Sequence, residues 1–318
     1  MINWGIIGAG NIANRFAKSL KEVKGAELYA VACRTMDKAE RFRANHPCEV
    51  AYDSYIDLLN DSQVEAVYIA LPHKYHLEWV KEAIVRGKAV LCEKPATLSA
   101  DEMQEISDLA QEKQVFFMEA MKSRFVPAYR ELKAKIEQGE IGEIQSVSTS
   151  LCHIFDEATS SYHFEPVQGG PLLDMGVYNV SLLEDFIALP IELEAIEYET
   201  HPNGIELYVK ATLRSEGVTG VLESGFDRET ETVAVIRGSK GMIRIPNFHR
   251  ASSYELFKLE TEAEQHFDIP YEVDDFYSQI EHVVSCLEEG RTESPIMPLA
   301  TSQRFAEIVD QLKAAIEL

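Results

Sequence analysis

Short apolar runs alternate with longer amphipathic stretches over roughly the first 120 positions of the chain. The runs fall at 3–7, 28–33, 64–71, 89–92 and 115–118, and the amphipathic stretches at 11–20, 37–45, 75–86 and 100–112. The runs do not alternate apolar with polar, which predicts strands covered on both faces. Such strands separated by helices predict βαβ units and a doubly wound parallel sheet.

The pattern then changes. Residues 127–138 predict a helix ended by Gly139, and strand-like segments follow at 144–153, 193–200, 205–213, 218–224, 232–237 and 241–245. Turn signals such as Pro202-Asn203-Gly204 and Glu216-Gly217 join them, which predicts an α/β domain with an open, mostly antiparallel sheet. One helix is expected at 171–188 and two more at 274–289 and 299–316. The domain boundary is expected near 119–125, dividing the chain into 1–120 and 121–318. One face of the second sheet is expected to expose alternating apolar residues, Ile205, Leu207 and Val209 among them. A patch of that kind predicts a homodimer or higher homo-oligomer.

Composition narrows the function classes. The chain has 318 residues with 46% hydrophobic and 26% charged positions, as in folded domains rather than disordered or fibrous chains. Its net charge of −23 repels phosphate backbones, which argues against nucleic-acid partners. Five widely spaced cysteines form no CxxC, so neither a disulfide framework nor a metal site is expected. His73 and His76 are three apart, but no third ligand has a matching spacing. No apolar run approaches the length of a membrane span. Residues 1–5 carry no basic segment leading into an apolar core, and a cytoplasmic protein is expected.

Gly8-Ala9-Gly10-Asn11-Ile12-Ala13 follows the first strand and opens the first helix. Glycines there allow a tight turn and close approach to a pyrophosphate, and the helix N-terminus supplies N–H groups and a positive dipole end. The first domain is therefore read as an NAD(P)-binding Rossmann domain. A carboxylate usually follows at the tip of the second strand to hold the ribose 2′-hydroxyl. Here Ala32-Cys33-Arg34-Thr35 stands there, with Lys38 beyond. Arg34 and Lys38 would suit a 2′-phosphate, so NADP is expected and NAD remains open. The alternative is that Arg34 is a solvated surface charge and Asp37 takes the ribose.

Ala89-Val90-Leu91-Cys92-Glu93-Lys94-Pro95 puts a lysine at the tip of a buried strand, where doubly wound sheets bind ligands. With the glycine fingerprint, Gly87-Lys88, and Leu71-Pro72-His73 with His76, the run resembles the glucose–fructose oxidoreductase/inositol dehydrogenase (Gfo/Idh/MocA) family. Glu119-Ala120 with Arg124-Phe125-Val126-Pro127 is similar to that family's entry into its second domain. Gly169-Gly170-Pro171-Leu172-Leu173-Asp174-Met175-Gly176-Val177-Tyr178 is similar to its active-site helix, in the tyrosine version found in dimeric dihydrodiol dehydrogenases and some sugar dehydrogenases. Lys122 is a departure, since dihydrodiol-type segments often have an aromatic there, and it argues against an aromatic diol.

The resemblance implies that Lys94, Asp174 and Tyr178 are catalytic. It also implies a cofactor held by Gly8, Ala9, Gly10, Asn11, Ile12, Arg34, Lys38, Leu71, Pro72, His73, His76, Glu93 and Lys94. The residues themselves agree on the helix: Pro171 suits its first turn, and Asp174 and Tyr178 are four apart and share a face. A phenol needs a nearby cation before it acts as a base at neutral pH, and Lys94 would supply it. Read otherwise, Asp174 caps the helix and Tyr178 packs in the core. Arg124, Tyr162 and His163 are candidate substrate contacts, the last two equally readable as surface residues.

The expected activity is an NADP-dependent transfer of hydride between nicotinamide and a hydroxyl or carbonyl of a small-molecule sugar, polyol or vicinal diol. Two alternatives stand beside it: a non-catalytic dinucleotide-binding regulator and a redox-neutral NAD-dependent glycosidase.

Overall fold

The computed structural model describes residues 1–188 and 190–316, and the chain separates into two compact units. The first unit is Met1–Lys122 together with Glu272–Gln303, and the second is Ser123–Tyr271 together with Arg304–Leu318. The chain therefore does not cross once near residue 120. It returns to the first unit after Tyr271 and leaves it again inside the helix Leu299–Ala315. Local chemistry explains the return. Asp274 accepts from the Ser19 hydroxyl at 2.6 Å, Asp275 pairs with Arg15 and Lys122, and Thr292 accepts from Phe117 N at 3.3 Å. Ion pairs of this kind leave no apolar signature in the sequence.

The first unit holds six parallel strands: β1 (Ile2–Ile7), β2 (Ala26–Ala32), β3 (Val50–Tyr52), β4 (Ala66–Ile69), β5 (Ala89–Glu93) and β6 (Phe117–Ala120). Their order is β3-β2-β1-β4-β5-β6, a doubly wound sheet whose order reverses between β1 and β4. The helix Asn11–Leu20 buries Ala13, Phe16, Ala17 and Leu20, an i, i+3, i+4, i+7 stripe facing the sheet. Phe16 stacks on Tyr68 of β4 with centroids 3.7 Å apart. Two elements are additions to the sequence reading, β3 and the helix Tyr55–Asn60. Both are too short for their periodicity to register.

The second unit is built on eight strands, β7 (Ile144–Cys152), β8 (Glu192–Thr200), β9 (Glu206–Ser215), β10 (Val218–Gly225), β11 (Val233–Gly238), β12 (Gly241–Pro246), β13 (Ser253–Lys258) and β14 (Ala263–Asp268). Their order is β14-β13-β12-β11-β7-β10-β9-β8. Only β7 and β10 run parallel, and every other neighbour pair is antiparallel. β13 and β14 are additions to the sequence reading; β14 is exposed along nearly its whole length and so carries no apolar face to register.

The helix Val177–Phe186 packs against β7 and β10 and buries Val177, Val180 and Leu183. The expected exposed row is corrected here. Ile205 and Val209 are buried within the chain and Leu207 is half-buried. In β9 the odd-numbered side chains Val209, Ala211 and Leu213 lie on the covered face. The other face carries Tyr208, Lys210, Thr212 and Arg214, and across the sheet the half-buried pair Met242 and Phe257. Among the described residues no helix is long and apolar enough to cross a membrane.

Candidate functional site

β1 ends at Ile7 and the chain turns at once through Gly8. Gly8 has φ +96°, and a Cβ there would lie 2.5 Å from the Ala70 carbonyl oxygen, so this position requires glycine. Gly10 differs: its φ is −83° and it caps the helix Asn11–Leu20 with no side-chain bond to the first turn. A Cβ on Gly10 would meet nothing within 4 Å. The turn thus leaves helix N–H groups and open space side by side, the arrangement that accepts a diphosphate.

That space is a cavity of about 640 Å³, lined by Gly8, Ala9, Gly10, Leu71 and Pro72 from the tips of β1 and β4. Arg34 and Lys38 reach it from beyond β2, the carboxylate Asp53 from the end of β3 and Glu78 from the helix His76–Val85. Tyr55, Tyr75 and Trp79 add aromatic walls, Tyr55 meeting Trp79 edge-on at 4.8 Å. Asp53 and Tyr55 go unread in the sequence because β3 and the helix after it do, whereas Tyr75 and Trp79 fall in the predicted 75–86 stretch without a signal that sets them on the cavity. Asp37 is turned elsewhere: it pairs with Arg41 at 2.7 Å on the exposed helix surface. The fit to a dinucleotide is good: open glycine backbone, a helix N-terminus, flat aromatic walls and two cations.

Six of the expected cofactor residues, Asn11, Ile12, His73, His76, Glu93 and Lys94, are placed differently from the cavity walls. Asn11 and Ile12 open the helix beside the loop. His73 and His76 are buried, with ring centroids 5.8 Å apart. The His76 ring lies 2.8 Å from both the Pro95 and the Leu71 carbonyl oxygens. Glu93 is buried and accepts from the Tyr68 hydroxyl. Burial pushes its pKa up, against the Tyr68 bond and the Lys94 charge. His76 and Glu93 thus bond within the strand tips. Lys94 itself is half-buried at the end of β5. The turn that carries it is tied at Ala96, whose N–H donates to Glu119 at 2.9 Å.

In the second unit, Gly169 and Gly170 admit a close crossing of chain. A Cβ on Gly169 would lie 2.3 Å from the His163 carbonyl, and Gly170 has φ +96° with its N–H donating to that same oxygen at 2.9 Å. The next residues, Leu172–Gly176, wind as a π-helical turn before the regular helix Val177–Phe186. Wide turns of this kind occur often at functional sites. Buried Glu206 closes the head of the turn, accepting from Leu172 N at 3.1 Å.

Asp174 lies within this turn, with His163 Nε2 3.6 Å from its carboxylate. The Tyr162 ring packs on His163 at 3.8 Å. Tyr178 is 8% exposed and its ring lies 5.7 Å from that of His249, a neighbour with no warning in the sequence. Asp174, His163 and Tyr162 are thus brought together. Arg124 is corrected: its guanidinium donates to Ser181 Oγ at 2.9 Å and Ser181 O at 2.7 Å and pairs with Glu184. It is 5% exposed, so it fastens helices within the unit rather than meeting a substrate.

Residues 2–121 match the "Oxidoreductase family, NAD-binding Rossmann fold" and residues 129–244 the "GFO/IDH/MocA C-terminal domain". The chain belongs to the Gfo/Idh/MocA oxidoreductase family. Among its relatives is the trans-1,2-dihydrobenzene-1,2-diol dehydrogenase of Xenopus tropicalis, 32% identical over 97% of this chain and 96% of that protein. The Homo sapiens dehydrogenase of the same name is 30% identical over 99% and 97%. Among solved structures, a 3-ketoreductase from Actinomadura kijaniata in complex with NADP and TDP-benzene superposes with a TM-score of 0.89. It is 27% identical, and the match covers 98% of this chain and 97% of the ketoreductase. Membership in this family makes the protein an NAD(P)-dependent dehydrogenase or reductase.

Proposed function

We propose that this enzyme uses NADP to interconvert a hydroxyl and a carbonyl on a vicinal diol, sugar or polyol. The observation that carries the reading is the cavity behind Gly8 and Gly10, with Arg34 and Lys38 where β2 ends. Backbone N–H groups of the glycine turn and the first helix hold the diphosphate. Arg34 and Lys38 take the 2′-phosphate by charge-assisted bonds, and the aromatic walls flank the base. Asp53 and Glu78 share the cavity, but Arg34 and Lys38 are the groups that follow the tip of β2, where the 2′-phosphate is held. The bound nicotinamide supplies or accepts the hydride.

The protein's side chains handle the proton. Tyr178 gives it to the substrate oxygen during reduction and takes it during oxidation. The Lys94 ammonium makes the phenol acidic enough to do so near neutral pH. Two solved structures of the Actinomadura ketoreductase carry a replaced lysine or a replaced tyrosine, at the same separation along its chain as Lys94 and Tyr178 here. Asp174, with His163 at its side, bonds a neighbouring substrate hydroxyl. That pairing favours a substrate with two adjacent oxygens, in keeping with the diol dehydrogenases among its relatives. The half-buried sheet face with Met242 and Phe257 supports a homodimer.

The test is a panel of aldoses, deoxy-ketoses, inositols and vicinal diols read at the NADPH absorbance band. At least one class should change NADPH, and Tyr178→Phe should abolish the change. Tight NADPH binding without turnover would make the protein a dinucleotide-binding regulator. Sugar release without net NADPH change would make it a redox-neutral glycosidase.

A further inference from the structure

The His76 ring faces two acceptors. Nδ1 lies 2.8 Å from the Pro95 carbonyl oxygen and Nε2 lies 2.8 Å from the Leu71 carbonyl oxygen. A neutral imidazole has one N–H and can satisfy one carbonyl, whereas an imidazolium satisfies both. The two carbonyls belong to different strand tips of the first unit. Leu71 follows β4 and lines the cofactor cavity. Pro95 follows Lys94 at the end of β5. The ring is fully enclosed, so water cannot substitute for the missing proton.

We propose that His76 is a positioning residue that clamps the Lys94 turn to the cofactor wall, holding one tip when neutral and both when protonated, and that cofactor binding takes up the proton that closes it.

The charges around the ring set the direction. Burial pushes the imidazole pKa down, the Pro95 and Leu71 carbonyls push it up, and the Lys94 ammonium pushes it down, with the net shift downward. In the cofactor-free protein near neutral pH the ring is therefore neutral and the clamp half-made. The other titratable neighbours are His73, whose ring packs edge-on at 5.8 Å, and the buried carboxylates Glu93, the last residue of β5, and Glu119 of β6, which accepts from Ala96 N–H next to Pro95. A dinucleotide brings negative charge to the Leu71 wall and raises the imidazole pKa. A group whose pKa is raised on binding strengthens binding fully below its free-state pKa, and that gain disappears as pH rises through the bound-state pKa. A one-unit rise is worth about tenfold in affinity.

The inference rests on cofactor binding in the first unit and on no particular substrate. The experiment uses the full chain and NADPH. Histidine ring nitrogen resonances, assigned through His76→Gln, are followed with and without NADPH. Fluorescence titration gives the NADPH Kd of both proteins from pH 8 to pH 5.5. The expected result is one protonated ring nitrogen at pH 7.5 in the free protein, with the second protonated on acidification about one pH unit earlier in the complex than in the free protein. The wild-type affinity should rise on acidification about tenfold more than that of the variant. Comparing the two proteins cancels titration of the NADPH 2′-phosphate. Parallel pH profiles, or a ring that stays singly protonated in the complex, would overturn the clamp alone. Failure of wild type to bind NADPH would overturn the clamp together with the cofactor reading. If His76→Gln does not fold, the wild-type ring resonances still decide, with assignment from the 2.8 Å carbonyl couplings.

Discussion

Gly8 and Gly10 stand in the same loop, yet a methyl group added to each should fail in opposite ways. In Gly10→Ala the backbone is untroubled, because φ −83° is open to any residue. Alanine loses roughly 0.5–1 kcal/mol relative to glycine at a helix N-cap. It regains roughly 0.4–1 kcal/mol by restricting the unfolded chain. The two nearly cancel, and Tm should move by less than about 2 °C. The methyl, however, projects into the open space of the cavity, where no protein atom lies within 4 Å. If the diphosphate occupies that space, the overlap costs roughly 1–3 kcal/mol, or about 5- to 150-fold in Kd. Gly8→Ala reverses the pattern. It forces alanine to φ +96° and sets its Cβ 2.5 Å from the Ala70 carbonyl, roughly 2–5 kcal/mol in strain and overlap. Its Tm should fall by roughly 5–15 °C. Thermal unfolding and NADPH fluorescence titration on the three proteins separate the effects. A Gly10→Ala protein that binds NADPH as tightly as wild type would refute the placement of the diphosphate.

Arg34→Ala should remove a preference for NADPH over NADH of roughly 10- to 150-fold, the value of one charge-assisted contact. Paired titrations check this, and an unchanged ratio would return Arg34 to the role of a surface charge. Tyr178→Phe should lower the rate by about 10²–10⁴ while leaving the NADPH Kd near wild type. Lys94→Ala should lower kcat far more than it weakens cofactor binding, and stopped-flow measurement of both quantities tests the pair. Burial would push the Asp275 carboxyl up, but the Lys122 and Arg15 charges hold it below its ordinary value. Its stabilising effect is therefore present above the ordinary Asp range, about pH 4, and is lost as pH falls through the lower folded value. Lys122→Met should cost about 3 kcal/mol or less at pH 7, since Arg15 still faces Asp275. The gap in urea stability should close below about pH 4, and a gap that stays constant would show that only packing was lost. Light scattering at micromolar concentration should report twice the chain mass, and a monomer would remove the proposed dimer.

Local pattern was enough to read the parallel sheet, the glycine turn and the helix Asn11–Leu20, because each is written in neighbouring residues. Four buried positions at helical spacing, or two glycines between a strand and a helix, need no distant partner to be recognised. The same holds for the run that ends in Lys94 and for the glycine-led segment that carries Asp174 and Tyr178. What the sequence could not decide depends on partners far apart in the chain. Glu272–Gln303 returns to the first unit because Asp274 and Asp275 find Ser19, Arg15 and Lys122. Arg124 is taken from the substrate by Ser181 and Glu184, and Glu206 closes the head of the π-wound turn from another strand. Val209 has the alternation of an exposed row, but the choice of covered face belongs to the helix Val177–Phe186 packed on the neighbouring strands β7 and β10. His76 read as a cofactor ligand by its motif. Only the folded strand tips bring it two carbonyls 2.8 Å away, because hydrogen bonding is decided by which acceptors the fold brings within reach.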